Sequence, residues 1–313
     1  MSKPGVLLMT YGSPASLDEA GVGAYLAAVR GGRAPDQELL TEFTRRYQVI
    51  GGSPLIKITR AQAAALSERL GWPAAAGMRF SSPSIVDAIR ELIDQDVTEV
   101  AAIILSPQYS PLLMGGYARA LDAARAEIGA SAPAVTIAGA WHLEPAFVEA
   151  LARRLVAAIE RLPAEERDSA GILMTAHSLP RRVADQEPDY LDQLPDTATA
   201  VATAAGLADD RCTFCWQSAG HEPGEWMKPD FADLMPGIAA AGGRSVVVAP
   251  VQFLADHLEI LYDVEIGARE QAEAAGLRFA RIESLNADAG LIEALAAVVQ
   301  ELGGADGAAA SAA

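Results

Sequence analysis

The chain is poor in cysteine, in basic residues and in long apolar runs, and each shortage excludes something. Two cysteines among 313 residues cannot build a disulfide scaffold. They are also too few for four-cysteine ligation of zinc or of an iron–sulfur cluster. Lys+Arg number 24 against 41 Asp+Glu, a formal charge of 24 − 41 = −17. Such a chain is ill suited to coat a phosphate backbone, so no nucleic-acid partner is expected. No stretch approaches the roughly 20 consecutive apolar residues of a transmembrane helix. The opening residues lead into only a short apolar run, Val6-Leu7-Leu8-Met9, well below the about 7–15 residues of a secretory signal. A cytoplasmic protein is therefore expected. There is no Walker A, G-x-G-x-x-G or G-x-S-x-G motif, which argues against nucleotide binding and α/β-hydrolase chemistry.

What is present is core-forming material. Hydrophobic residues make up 51% and charged residues 21%, which excludes a disordered chain. The length suits one large domain or two lobes of roughly 150 residues. Short aliphatic runs alternate with amphipathic ones. Strands are predicted over Gly5–Thr10, Met78–Ser82, Val100–Leu105, Val135–Ala138, Gly171–Thr175, Cys212–Gln217, Ser245–Ala249 and Arg278–Ile282. Helical periodicity fills the spaces: Ile85, Ile89 and Leu92 share one face, and Pro145–Ile159 and Leu291–Leu302 repeat the pattern. Apolar strands alternating with helices give an α/β fold with parallel sheets covered on both faces.

A weak internal repeat favours two lobes. Leu8-Met9-Thr10-Tyr11-Gly12-Ser13-Pro14 resembles Leu173-Met174-Thr175-Ala176-His177-Ser178-Leu179-Pro180. Ile104-Leu105-Ser106-Pro107-Gln108-Tyr109 loosely echoes Val248-Ala249-Pro250-Val251-Gln252-Phe253. The expected organisation is an N-terminal lobe over 1–140, a C-terminal lobe over 141–303 whose last helix could pack back on the first, and a frayed flexible tail over 304–313. The repeated motifs fall at strand C-termini, where open α/β sheets bind ligands. Two facing lobes would place them across one cleft.

Few residues can carry chemistry there. His177 follows an apolar strand and is either a base or ligand, or a structural histidine satisfied by the backbone. Asp256 is a plausible N-cap for a helix running from the Asp256-His257-Leu258-Glu259 segment to about Ala274. Glu259 and Asp263 then stack at i, i+4, as a solvated acidic face or as a pair near the cleft. His142 and His221 lie in loops, where surface or supporting roles are expected. Cys212 and Cys215 form a C-x-x-C in a strand, where i and i+3 point to opposite faces; a structural role is expected. Arg30, Arg33, Arg45 and Arg46 crowd one stretch of an acidic chain. They are either an ordinary charged helix surface or a grip for a small anion, since Arg pairs well with carboxylates.

The opening LLMTYGSP, the RGGRAPDQELL…RRYQVIGGSPL segment, the PQYS and TAHSLP loops, the WQSAG…EW…PD segment and ADHLEILYD together resemble the ferrochelatase family. The likeness spans about residues 5–302. It implies two Rossmann-like lobes around a central porphyrin cleft, and insertion of Fe²⁺, the substrate metal, into a porphyrin with release of two protons. His177 matches the family's catalytic histidine, which binds metal or accepts a pyrrole proton, and Glu259 its acidic partner. Asp263 continues an acidic line for protons or metal, and Tyr11 matches the aromatic residue on the other face of the macrocycle. The third acidic position falls near Gly267, with the nearby Glu265 off that face in a regular α-helix.

The resemblance also bears on substrate. Members acting on coproporphyrin resemble the chain at Arg30, Arg46, Tyr47, Ser53 and Tyr117, which look like propionate contacts. Coproporphyrin III is thus favoured over protoporphyrin IX. Some relatives hold a [2Fe–2S] cluster on four cysteines; with two, no cluster is expected here. A monomer is expected, with haem-pathway enzymes as partners. Rival readings are a non-catalytic porphyrin or haem carrier on the same fold, a chelatase for cobalt or nickel, and a periplasmic-type solute binder.

Overall fold

In the computed structural model the described residues are 2–220 and 224–310, without the side chains of 209 and 304–310. They form two units: one holds the residues up to Trp141 together with those from Asn286 on, the other His142–Leu285. His221 and the last three residues lie outside the described residues.

The first unit is built on β1 (Pro4–Thr10), whose Val6, Leu7, Leu8 and Met9 are fully buried. A strand apolar on both faces belongs in the middle of a parallel sheet. β1 indeed pairs with β2 (Ala74–Met78) on one side and β3 (Glu99–Ile104) on the other, and β4 (Ala134–Ile137) completes the order β2-β1-β3-β4. The second strand lies earlier than the sequence pattern places it, and Met78–Ser82 is mostly the loop that follows. Ala74-Ala75-Ala76-Gly77 carries no β-branched residue, so propensity gives no signal. The small residues instead allow close packing: a Cβ on Gly77 would stand 2.9 Å from Ile85 Cα. That helix, Ile85–Ile93, starts in a Ser84/Asp87 capping box and buries Ile85, Ile89 and Leu92.

The second unit repeats the plan. β5 (Gly171–His177), β6 (Cys212–Gln217), β7 (Ser245–Pro250) and β8 (Arg278–Arg281) are all parallel, in the order β6-β5-β7-β8. The two halves therefore share one strand order. In each, the connection reverses direction between the first and third strands, and the two repeated sequence motifs sit at the C-terminal ends of those strands. Cys212 is half-buried and Cys215 fully buried, both free thiols; burial pushes the Cys215 thiol up to about 12.

The last helix, Ala289–Ala310, belongs with the first unit and extends past residue 303 into the stretch read as a tail. Arg69 grips Glu293 through two hydrogen bonds of 2.7 and 2.8 Å, and Gln62 Nε2 donates to the Asn286 carbonyl at 2.7 Å. No helix among the described residues is long and apolar enough to cross a membrane.

Candidate active site

In the second unit, β5 carries His177 as its last residue, in register with Gln217 of β6. The His177 main-chain N–H donates to Gln252 Oε1 at 2.8 Å. The ring Nδ1 meets the Ser178 carbonyl. A carbonyl only accepts, so Nδ1 carries the proton and Nε2 presents its lone pair. Glu259 Oε1 stands 3.8 Å from that Nε2. This is too long for a direct hydrogen bond but close enough to stabilise an imidazolium.

Glu259 has a second imidazole on its other side. Its Oε2 lies 3.6 Å from His257 Nε2, and His257 Nδ1 contacts the Ala255 carbonyl at 2.8 Å. One carboxylate thus sits between two imidazoles, each anchored to a backbone carbonyl through Nδ1. Burial alone would raise the Glu259 carboxyl, but the positive charge of His177 in its protonated form and the facing His257 imidazole bring it down to about 2. Burial likewise opposes protonation of His257; the facing Glu259 carboxylate, the Ala255 carbonyl and Asp256 outweigh it and raise the imidazole above 6.5. Trp226 lines the same region, its ring 6.4 Å from that of His177.

Glu259 opens a π-helix, Glu259–Ala268, that continues as an α-helix over Arg269–Ala274. The far end matches the sequence reading and the near end differs. Asp256 is not the N-cap: Ser284 Oγ donates to its carboxylate at 2.8 Å and Arg281 Nη2 lies at 3.5 Å. The π-helix hydrogen bonds run i to i+5 rather than i to i+4. Ile260, Val264 and Ala268 face the core at every fourth residue, and Glu259, Asp263 and Gly267 recur at the same interval. Asp263 is half-buried one turn beyond Glu259. Glu265 is occupied elsewhere: Arg269 and Arg281 both donate to it, Arg281 Nε at 2.5 Å. Among the described residues, no group of three or more His, Cys, Asp or Glu side chains is arranged to hold a metal ion.

The remaining candidates lie in the first unit. Tyr11 follows β1 and is 46% exposed. Its ring packs on Phe80 at 5.1 Å and edge-on to Tyr117 at 6.3 Å. Gly12 makes this turn possible. Its φ is +98°, and a Cβ there would come 2.0 Å from Ser81 Oγ. Tyr117 is buried, and burial pushes its phenol far up against the opposing pull of Arg79. Arg79 stacks over Phe80 at 4.5 Å and Tyr117 at 5.4 Å. It fills the notch left by Gly116, where a Cβ would lie 1.9 Å from its Nη2.

Tyr47 is buried on the helix Gln37–Val49, edge-on to Tyr25 at 6.4 Å, and Tyr25 Oη donates to the Gly12 carbonyl at 3.1 Å. Tyr47 therefore reaches the Tyr11 loop through Tyr25. Arg46 lies on the same helix, its Nε bound to Glu42 at 2.8 Å. Arg30 caps the helix Glu19–Val29, and its buried Nε has no hydrogen-bond partner among the described residues. Ser53 Oγ accepts from the Leu55 N–H at 3.4 Å, where the helix Leu55–Leu70 begins.

The structure brings together His177 and Glu259, and Tyr11 and Tyr117. It adds His257, Trp226 and Gln252 to the first group and Arg79 to the second. His257 stands two residues before Glu259, but a lone histidine beside a carboxylate in sequence does not reveal a bridge. Nothing local marks Arg79, because its partners Gly116 and Tyr117 are distant in the chain. His142 is half-buried, with Nδ1 lacking a partner among the described residues; burial holds its imidazole down, against Asp196.

Residues 3–302 match the family described as Ferrochelatase. A "Ferrochelatase" of Deinococcus radiodurans is 39% identical over 302 residues, covering 95% of each chain. A "Coproporphyrin III ferrochelatase" of Geobacillus kaustophilus is 37% identical over 304 residues, covering 94% of each. Among solved structures, SirB from Bacillus subtilis with Fe3+ superposes with a TM-score of 0.57 at 12% identity, over 96% of this chain and 95% of that one, a likeness of fold. With a family match across nearly its whole length and relatives above a third identical, the chain belongs to the ferrochelatase family.

Proposed function

We propose that the protein inserts Fe²⁺ into coproporphyrin III, with His177 as acceptor of the pyrrole protons and Glu259 as the charge that stabilises the imidazolium so formed. The observation that carries this reading is the fixed tautomer of His177, whose Nε2 lone pair faces a carboxylate at 3.8 Å. A free-base porphyrin holds two N–H protons where the metal must enter. Each must leave as a pyrrole nitrogen turns its lone pair to the iron. An imidazole suits proton transfer near neutral pH. Once protonated at Nε2 it becomes the partner Glu259 otherwise lacks on that side. His257 can then exchange a proton with Glu259, and Asp263 extends the route one turn along the helix. His177 and Glu259 also offer one nitrogen and one oxygen to the incoming Fe²⁺, leaving coordination positions open for the porphyrin nitrogens.

Tyr11 is read as the aromatic group against the macrocycle, held by Phe80, Tyr117 and the Gly12 turn. Arg30, Arg46 and Ser53 are read as propionate contacts, with Tyr47 and Tyr117 supporting them from within the core. Binding energy gathered at the propionates can be used to distort the macrocycle toward the metal-accepting shape. The Geobacillus relative's name supports coproporphyrin III as substrate.

The test is anaerobic mixing of the protein with Fe²⁺ and either coproporphyrin III or protoporphyrin IX, following the absorption bands of insertion. Turnover with coproporphyrin III and a loss of at least ~100-fold in His177→Ala, with porphyrin affinity retained, is the expected result. Preference for protoporphyrin IX would overturn the substrate, and equal turnover in the variant would overturn the base. Binding without insertion would favour a carrier.

A further inference from the structure

We propose that Gln252 is a positioning residue that sets the gap between His177 and Glu259, a role that rests on the function proposed above. The β5–β7 ladder has its last registered pair at Thr175 and Pro250, and the Val251 N–H still donates to the Thr175 carbonyl at 3.0 Å. In a parallel ladder the next rung would run from the His177 N–H to the Val251 carbonyl. It does not. The His177 N–H turns to the side-chain Oε1 of Gln252 at 2.8 Å, so a side chain finishes what the neighbouring strand leaves undone.

The amide is fixed at both ends. Its Nε2 donates to Tyr190 Oη at 2.5 Å, and Tyr190 is a buried residue of the helix Pro188–Ala204. The main-chain N–H can only donate, so Oε1 must face His177. Gln252 also belongs to the segment that leaves β7 and leads to His257 and Glu259. One side chain therefore ties the strand end bearing the base to the loop bearing the carboxylate. Neither end of this link touches the reacting atoms. Its effect is on where the imidazole stands, and a displacement of about 1 Å at a reacting group can cost ~100-fold in rate.

Gln252→Met keeps the volume of the side chain and removes the acceptor; Gln252→Glu keeps an acceptor for the N–H and can accept from Tyr190 Oη. Hydrogen exchange at the His177 amide is read alongside kcat and porphyrin Kd. Gln252→Met should speed exchange at His177 by roughly fivefold or more, the loss of one hydrogen bond. It should also lower kcat by about 10- to 100-fold with porphyrin Kd within about twofold, whereas Gln252→Glu should recover most of both losses. Unchanged exchange in Gln252→Met overturns the link itself. Faster exchange with wild-type kcat overturns the positioning role, and equal losses in the two variants assign the effect to packing. If the wild type inserts no metal into either porphyrin, the functional reading falls and takes the catalytic half of this proposal with it, while the exchange result still decides the link.

Discussion

Replacing Glu259 by Gln removes a charge and almost no volume, so it isolates what the carboxylate does for the imidazolium of His177. Two unit charges 3.8 Å apart interact by about 4 kcal/mol at an effective dielectric of 20 and by about 1 kcal/mol in bulk water. The side chains are 29% and 33% exposed, which puts the pair between these limits. A loss of about 2–3 kcal/mol in the protonated intermediate lowers the insertion rate by roughly 30- to 150-fold if proton uptake limits turnover. Porphyrin affinity should change little, because on the proposed function the carboxylate acts on the proton and the metal rather than on the propionates. The assay is steady-state iron insertion into coproporphyrin III without oxygen, with porphyrin Kd from fluorescence quenching. A Glu259→Gln enzyme with kcat within about threefold of wild type would refute the charge argument. Loss of porphyrin binding in step with activity would refute the division of labour.

Arg46 donates to Glu42, whose carboxyl is drawn down to about 2 by hydrogen bonds from Arg45 and Arg46, so any propionate must share this guanidinium. Arg46→Ala should weaken porphyrin binding by about tenfold, the worth of a hydrogen bond to a charged group, while Glu42→Gln should tighten it; weaker binding in Glu42→Gln would refute the sharing. Gly116→Ala inserts a methyl where Arg79 rests. It gains helix propensity of about 0.5–1 kcal/mol and loses cation–π contact of similar size. Thermal stability should therefore hold while Arg79 is displaced; a large drop in Tm would mean the guanidinium cannot move aside. Stability should also depend on pH through Glu259, drawn down by the charges of His177 and His257, and through His257 itself. Glu259, lowered from 4.5 to about 2, contributes fully above pH 4.5 and loses that contribution as pH falls through about 2. His257, raised from 6.5, contributes fully below pH 6.5 and loses that contribution as pH rises through its folded value. In urea melts the advantage of wild type over Glu259→Gln should be largest between pH 4.5 and 6.5, and an advantage still growing at pH 9 would refute the pairing.

Much of the fold was legible in the sequence because buried parallel strands announce themselves as short apolar runs, and seven of the predicted strands overlap the observed ones closely. The exception, β2, fails for a physical reason: Ala74-Ala75-Ala76-Gly77 is built of small residues, Gly77 admitting Ile85 at close range, and smallness is not a strand signal. The helix after Glu259 was legible at its far end but not in its start or its kind, since a π-helix and an α-helix can both bury every fourth residue. His177 and Glu259 could be named from their motifs, yet the second imidazole on Glu259, the Arg79 stack and the Gln252 link come from pairings across loops that no local pattern encodes.

The duplicated strand order explains why the candidate residues fall where they do. In both units the first and third strands flank the point where the chain reverses direction across the sheet, and a crevice opens at the carboxyl ends of such strands. In the first unit that place holds Tyr11 on its Gly12 turn and the Pro107-Gln108-Tyr109 segment. In the second it holds His177 and the Val251-Gln252-Phe253 segment leading to Glu259. The same scaffold position thus carries an aromatic face in one half and, on the function proposed above, the proton acceptor in the other. The glutamine of the repeated motif differs as well. Gln108 is fully buried, whereas Gln252 is only half-buried and spans from a strand end to a helix. On that function, divergence at two equivalent sites turns a symmetrical framework into one with a binding half and a chemical half. On this account a swap such as Tyr11→His would not create a second proton acceptor. The first unit packs that position against the rings of Phe80 and Tyr117, and neutral aromatic rings stabilise an imidazolium less than a carboxylate at 3.8 Å does.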